Sequence, residues 1–238
     1  MRRLQTLVIV LAVATGLLYA PRVYVQSAKG KSEPFQIVET TIDQVHAAYK
    51  SGKLTAHQLV QGYLDRIKAY DSQGPKINSI ITINPKALEE ADRLDALYKT
   101  SGLVGPLHGI PILVKDEIDT AGMATTLGSV VFKDYRPPLD AFVIARLKKA
   151  GAIILGKTTL SEFAAGDTYG SMFGVSRNPY DLERTVGGSS GGSGAATAAN
   201  FSTLAVGEET FASIRRPGSW NGIVSMRPTA GLVSRTGM

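Results

Sequence analysis

An α/β fold with a sheet covered by helices is what this sequence predicts, on three observations. Stretches with the period of a helix alternate with short apolar runs of strand character. Turn-forming clusters of Gly, Ser, Asn and Pro separate them. The composition, 44% hydrophobic and 19% charged over 238 residues, is that of an ordinary globular protein with material for one large core or two small ones. Such alternation favours an α/β sandwich, and neither a 20–50-residue repeat nor an interdomain linker interrupts it.

The elements follow in order. Ile42, Val45 and Tyr49 recur at helical spacing between Thr41 and Tyr49. Thr55-Ala-His-Gln58 is a capping box, Thr at the N-cap and Gln three residues on, and it opens a helix with Leu59, Tyr63 and Ile67 on one face. Asn78 to Ile83 is strand-like. Asn84-Pro85 is an N-cap and first-turn pair for a helix carrying Leu88, Ala91 and Leu94 on its inner face. Ile110 to Val114 reads as a strand, Ala141 to Lys149 as a helix, Ala152 to Leu155 as a second strand and Gly194 to Ala199 as a short helix. Asp167 to Glu183, rich in turn-forming residues, reads as an ordered loop.

Arg2 and Arg3 precede an apolar run from Leu7 to Ala20, the pattern of an export signal and short for a membrane span of roughly 20 residues. Residues 1–27 are therefore expected to be a signal peptide, cleaved after Ser27 with Val25 at the −3 position, or a signal anchor if left uncleaved. Export to a periplasmic or extracellular location follows from that expectation, and membrane attachment only in the uncleaved case. Arg2, Arg3 and Arg22 supply three of the six net positive charges, so the remainder carries +3. With no basic run interleaved with aromatics, nucleic-acid binding is not expected. The absence of cysteine excludes disulfides, thiol catalysis and thiolate metal sites without deciding the compartment.

The chemistry-bearing segments come later. Thr185-Val-Gly-Gly-Ser-Ser-Gly-Gly-Ser-Gly194 is a Gly/Ser loop, and Ser213-Ile-Arg-Arg-Pro-Gly-Ser-Trp-Asn-Gly222 a second serine segment. Upstream, Leu107-His-Gly-Ile-Pro-Ile-Leu-Val-Lys-Asp116 sets Lys115 at the end of a buried strand. A serine hydroxyl is a poor nucleophile at neutral pH and needs a base to take its proton. Lysine serves as that base only when neutral, and an apolar setting, here suggested by Ile112, Leu113 and Val114, disfavours the charged form. Where the amine is too far away, a second hydroxyl can bridge, a role open to Ser189. Gly187, Gly188, Gly191 and Gly192 permit positive φ and close backbone approach, so the loop can turn Ser189 and Ser190 inward. Backbone N–H groups near Ser213 can hold the oxyanion of a tetrahedral intermediate.

These residues resemble the amidase signature family of Ser–cis-Ser–Lys amide hydrolases, from about Val38 to the C-terminus and most densely from Gly105 to Arg235. The resemblance implies Ser213 as nucleophile, Ser189 as bridging serine after a cis peptide, and Lys115 as base. The separations of 24 residues between Ser189 and Ser213 and 74 between Lys115 and Ser189 are as that family arranges them. It implies the amidase signature fold, a mixed β-sheet covered by helices, in a domain much longer than this chain. Residues 28–238 are thus expected to be its N-terminal portion, incomplete at the C-terminus and not a competent enzyme alone. Neither a cofactor nor a metal is expected, and the partner is a small-molecule amide substrate.

One departure stands out. The family usually carries Gly-Thr-Asp-Thr-Gly-Gly-Ser before the nucleophile, whereas this chain has Gly207-Glu-Glu-Thr-Phe-Ala-Ser213. The N–H groups of Thr210, Phe211 and Ala212 remain as oxyanion donors, but a positive φ at Phe211 would be strained.

Simpler readings stand beside these. Alone, the glycine loop is a linker, Lys115 a solvated strand-end lysine and Ser213 a turn or cap serine; their joint placement favours catalysis. A phosphate loop lacks its Gly-Lys-Ser/Thr ending. His46 and His57 fall on helices and His108 in a turn, without metal-ligand spacing or a triad role. Asp116, Glu117 and Asp119 are expected on a solvated loop, and Arg215 and Arg216 to brace the nucleophile segment rather than bind an acidic substrate. Two other functions stay open: a glutamine-dependent tRNA amidotransferase subunit, disfavoured by the leader, and an inactive amidase-like binding protein, motivated by Phe211.

Overall fold

The computed structural model describes residues 35–238, so the expected leader at residues 1–27 lies outside the described residues. The helical layer comes first: α1 spans Ile42–Lys50 and α2 Ala56–Arg66, each opened by a full capping box, Thr41 with Gln44 and Thr55 with Gln58. The second box was legible in the sequence; the first follows the same reciprocal pattern. Beyond Arg66 the chain winds into a π-helical turn, Ile67–Ser72, and Asp71 in that turn accepts hydrogen bonds from the N–H groups of Ser79 and Ile80. That tie fixes the entry of β1, Ile80–Ile83. Helix α3, Ala87–Ser101, begins later than expected: Asn84 accepts from the Lys86 N–H and caps a turn, and Lys86 occupies the N-cap position. The Asn-Pro pair thus makes the turn before the helix, an Asx turn, rather than its first turn.

Strands β2, Pro111–Lys115, and β3, Ile153–Thr158, are buried along their whole length, flanking helix α4, Phe142–Lys149. Continuous apolar runs with no alternation are what a strand covered on both faces requires. The expected loop from Asp167 to Glu183 is two small hairpins, β4 (Tyr169–Gly170) with β5 (Gly174–Val175) and β6 (Arg177–Asn178) with β7 (Asp181–Thr185). Strands this short leave no hydrophobic period to read.

The glycine segment is corrected most. Helix α5 spans Gly191–Ala198, three residues earlier than its expected start, so Gly191 and Gly192 form its first turn and not the loop. Of Gly187, Gly188, Gly191 and Gly192, Gly187 alone has positive φ, at 74°. The other three answer to close approach: a Cβ on Gly188 would meet the Gly166 carbonyl, one on Gly191 the Thr168 hydroxyl, and one on Gly192 the Thr159 hydroxyl. Strand β8, Leu204–Val206, and helix α6, Arg215–Trp220, complete the set.

Four strands form a mixed sheet in the order β1-β3-β2-β8. Strand β2 runs parallel to β3 and to β8, while β1 is antiparallel to β3. The core lies between this sheet and the helices, with Tyr63, Leu59, Ile112, Leu113, Ile144, Ile153 and Phe201 fully enclosed. Because β2 and β8 are parallel neighbours, with Val114 opposite Val206, the residues just past their carboxyl ends emerge side by side. Crevices outside those ends are where parallel sheets build sites.

Candidate active site

Lys115 is the last residue of β2 and is fully buried. Its register partner on β3 is Thr158, so the two share one face of the sheet; Val114 and Lys157 share the other. The face of Lys115 is covered by the start of α5, where the Ser193 hydroxyl meets Thr158 at 2.8 Å and donates to the Val206 carbonyl at 3.1 Å. Small residues at this helix start let it sit directly on the strand ends, as the Gly192 N–H donating to the Thr159 carbonyl at 3.2 Å shows. The sharp turn at Gly187 and the cis Gly188–Ser189 peptide then deliver Ser189 to the lysine. Lys115 Nζ donates to Ser189 Oγ at 2.7 Å.

The serine loop is held from three sides. The Ser161 N–H donates to the Ser189 carbonyl at 3.0 Å. Arg216 donates to the carbonyls of Gly188 and Gly166 and pairs with Asp167 at 3.0 Å. Arg215 pairs with Glu209 and donates to the Phe211 carbonyl. Both arginines therefore brace the segment, as the sequence suggested. Ser190 is the third tie: its N–H donates to the Ser213 carbonyl at 3.1 Å, and its hydroxyl donates to the Glu208 carbonyl at 3.0 Å. Loop, strand exit and the Ser213 segment are thereby stitched together by one buried serine that sequence reasoning placed only as inward-facing.

Ser213 is partly buried and tied to the loop through its carbonyl; no hydrogen bond joins its hydroxyl to Ser189 among the described residues. The predicted trio is thus brought together as a bonded Lys115–Ser189 pair with Ser213 one backbone link away. Phe211 does not have positive φ, so the substitution for glycine carries no backbone strain. Its side chain points outward, 85% exposed. The N–H groups of Ile214 and Arg215 are taken by the Glu209 carboxylate at 2.8 and 2.9 Å, whereas those of Thr210, Phe211 and Ala212 have no acceptor among the described residues. Three neighbouring unpaired donors are the raw material of an anion hole.

The lysine's surroundings differ from the apolar setting expected. Glu117 Oε1 lies 2.6 Å from Lys115 Nζ and Glu208 Oε2 lies 3.2 Å away, and the Glu208 carbonyl accepts from the same amine at 3.4 Å. The two carboxyl groups thus meet on one buried amine. Burial pushes the Glu117 carboxyl up to about 7, partly offset by the lysine charge. Burial acts upward on Glu208 too, but the neighbouring Glu117 carboxyl and the charge of Lys115 outweigh it and hold that carboxyl below its ordinary value. Nor is Asp116 on a solvated loop. It is fully buried on the far face, accepting from the Thr126 N–H and hydroxyl and lying 3.6 Å from buried Lys157. Burial raises Asp116 and lowers Lys157, each partly offset by the other's charge. The chain turns inward after Lys115, and adjacent acids at the end of a buried strand were the signal available.

His108, buried in the turn before β2, accepts from the Val104 N–H at 3.2 Å, and His46 reaches the His108 carbonyl at 3.0 Å. Both are structural. Among the described residues no group of three or more His, Cys, Asp and Glu is placed to hold a metal ion. Two cavities flank the carboxyl pair. One of about 390 Å³ is lined by Glu208, Thr210, Ile214 and Arg227, and one of about 250 Å³ by Glu117, Thr125, Phe132 and Tyr135.

The Amidase family pattern matches residues 58–238. Among curated relatives, the A subunit of the glutamyl-tRNA(Gln) amidotransferase of Alkaliphilus metalliredigens (strain QYMF) is 45% identical over 205 residues, 85% of this chain and 41% of that protein. Among solved structures, the native peptide amidase of Stenotrophomonas maltophilia superposes with a TM-score of 0.83 at 44% identity, covering 86% of this chain and 43% of that one. An amidase family protein of Bacillus anthracis str. Ames gives 0.81 at 39% identity, covering 85% and 41%. The chain thus spans less than half the length of the relatives it matches. With a matching fold, a matching sequence pattern and a buried Lys115–Ser189 contact at the carboxyl edge of the sheet, the chain belongs to the amidase family.

Proposed function

We propose that this protein hydrolyses a carbon–nitrogen bond of an amide other than a backbone peptide bond, through an acyl-enzyme on Ser213. The observation that carries the reading is the 2.7 Å hydrogen bond between Lys115 and Ser189, with Ser213 on the adjoining segment. Ser213 Oγ attacks the amide carbonyl carbon as its proton passes to Ser189, whose own proton passes to Lys115. The tetrahedral oxyanion is received by the free N–H groups of Thr210, Phe211 and Ala212. Collapse expels the amine, which takes the proton back along the same path, and water then releases the acyl group by the reverse sequence.

A fluorophosphonate on the full-length protein tests this directly, since it traps the activated nucleophile as a stable adduct. Mass spectrometry is expected to find one adduct, on Ser213, lost in Ser213→Ala and slowed about 10²-fold or more in Lys115→Ala. An adduct that survives Ser213→Ala overturns the assignment.

A second reading is favoured by the relatives that carry the name of the glutamyl-tRNA(Gln) amidotransferase: the chain would release ammonia from glutamine within a larger complex. Glutamine turnover that appears only with a co-purifying protein or tRNA would establish it. The expected leader weighs against it, and we propose export instead. N-terminal sequencing of protein from the extracytoplasmic fraction is expected to start after Ser27, and an intact Met1 on cytoplasmic protein would refute that.

A further inference from the structure

Lys115 donates to Ser189 in this structure, so before it can take the serine's proton it must first lose one of its own. The acceptor has to be buried with it, because the amine is fully enclosed. Glu117 meets that requirement: it is itself buried, its Oε1 lies 2.6 Å from Nζ, and that oxygen has no other hydrogen-bond partner among the described residues. Glu208 stands where the family pattern usually has threonine, so the second carboxyl belongs to the departure from that pattern at Gly207–Ser213.

We propose that Glu117 is the proton acceptor behind Lys115 and that Glu208, which accepts from the same amine, is a positioning residue that holds Nζ beside Glu117. The inference rests on the Ser213–Ser189–Lys115 reading. An N–H bond of the Lys115 ammonium breaks and an O–H bond forms on the Glu117 carboxylate, leaving a neutral amine. That amine then takes the proton of Ser189 Oγ while Ser189 takes that of Ser213. The net transfer is one proton from Ser213 to Glu117, and expulsion of the amine runs it in reverse.

The neighbouring charges fit this assignment. Asp116 and Lys157 pair with each other on the opposite face of the sheet. Asp119 follows in the turn after β2 and adds negative charge felt by Lys157. On the nucleophile segment, Glu209 is engaged by Arg215 and Arg227. Glu208 and Glu117 are therefore the two carboxyl groups in contact with Lys115. Glu117 ionises at about 7, within the range where a change of its charge is felt in ordinary buffers.

The test is the pH dependence of Ser213 labelling by a fluorophosphonate, read beside carboxyl ¹³C resonances of labelled glutamate. In the unaltered protein, labelling is expected to rise with pH through about 7, in step with one glutamate resonance. Glu117→Gln should remove both the resonance and the step and slow labelling by about 10²-fold. Glu208→Thr removes a negative neighbour that favours the protonated form of Glu117, so resonance and step should move together to lower pH by about one unit. Labelling whose pH profile survives both substitutions overturns the relay while leaving the nucleophile standing. If Ser213 takes no label at any pH, the proposed function falls and the relay with it. A purely structural role for Glu117 would change the rate without moving the pH step, and that outcome also overturns the proposal.

Discussion

Ser190 and Glu117 show what a single side chain does here. Ser190 is buried and joins loop, strand exit and the Ser213 segment through one N–H and one hydroxyl. Replacing it with alanine leaves the Glu208 N–H, which donates to the Ser190 hydroxyl, without its acceptor, a cost of about 1–3 kcal/mol. The expected result for Ser190→Ala is a lower urea midpoint, together with slower labelling of Ser213. Glu117 sets a pH dependence of stability. Its carboxyl is raised from 4.5 to about 7, so the folded protein holds that proton through a window in which the unfolded chain has lost it. Stability from this group therefore falls as pH rises across that window and levels off above it. The size is at most about 3 kcal/mol. Glu208 has the opposite sign: its lowered value adds stability above the unfolded carboxylate range, which is lost as pH falls. Glu117→Gln, which resembles the protonated form, is expected to gain on the unaltered protein in melting temperature by several degrees between about pH 5 and about pH 8. Equal melting shifts at both ends would contradict the assignment.

At the scale of the element, α5 illustrates why glycine recurs. Its first turn lies so close to the strand ends that a single methyl group has no room. Gly192→Ala drives a Cβ into the Thr159 backbone, and Gly191→Ala into the Thr168 hydroxyl and Val186. Overpacking of this kind costs about 1–3 kcal/mol, and the helix carries the serine loop at its N-terminal end. Displacing Ser189 by even about 1 Å is enough for a loss near 10²-fold in rate. Gly192→Ala is therefore expected to lose labelling well before it loses cooperative unfolding. A variant as reactive as its parent would show that the helix can shift without moving the serine.

Across the molecule, apolar side chains remain exposed in the last segment: Val224 is 100% exposed, Met226 78% and Leu232 77%. A cavity of about 380 Å³ beside them is lined by Val143, Ile214, Ile223, Val233 and Met238. Exposed apolar surface of this sort favours association in water. The chain is expected to self-associate with rising concentration in sedimentation velocity, and Val224→Ser with Met226→Gln to reduce that. A concentration-independent monomer would argue that these residues are harmless in solution.

What the sequence determined by itself was local. The capping box at Thr55, the continuous apolar runs of β2 and β3, and the spacing of Lys115, Ser189 and Ser213 are properties of neighbouring residues or of a pattern along the chain. They pointed to the α/β class, the family and the lysine–serine contact. Tertiary structure decided the rest. Whether Asp116 and Glu117 meet water depends on which way the chain turns after Lys115, and a run of acids reads the same in either case. Glu208 reaches Lys115 because β8 lies parallel beside β2, a pairing across more than 90 residues that no local pattern encodes. The glycines at Gly191 and Gly192 read as loop because their purpose is space rather than φ, and space is set by what packs above them. Burial and long-range contact are sums over the whole fold, so the charges around Lys115 could be seen only once the sheet had brought its carboxyl ends together.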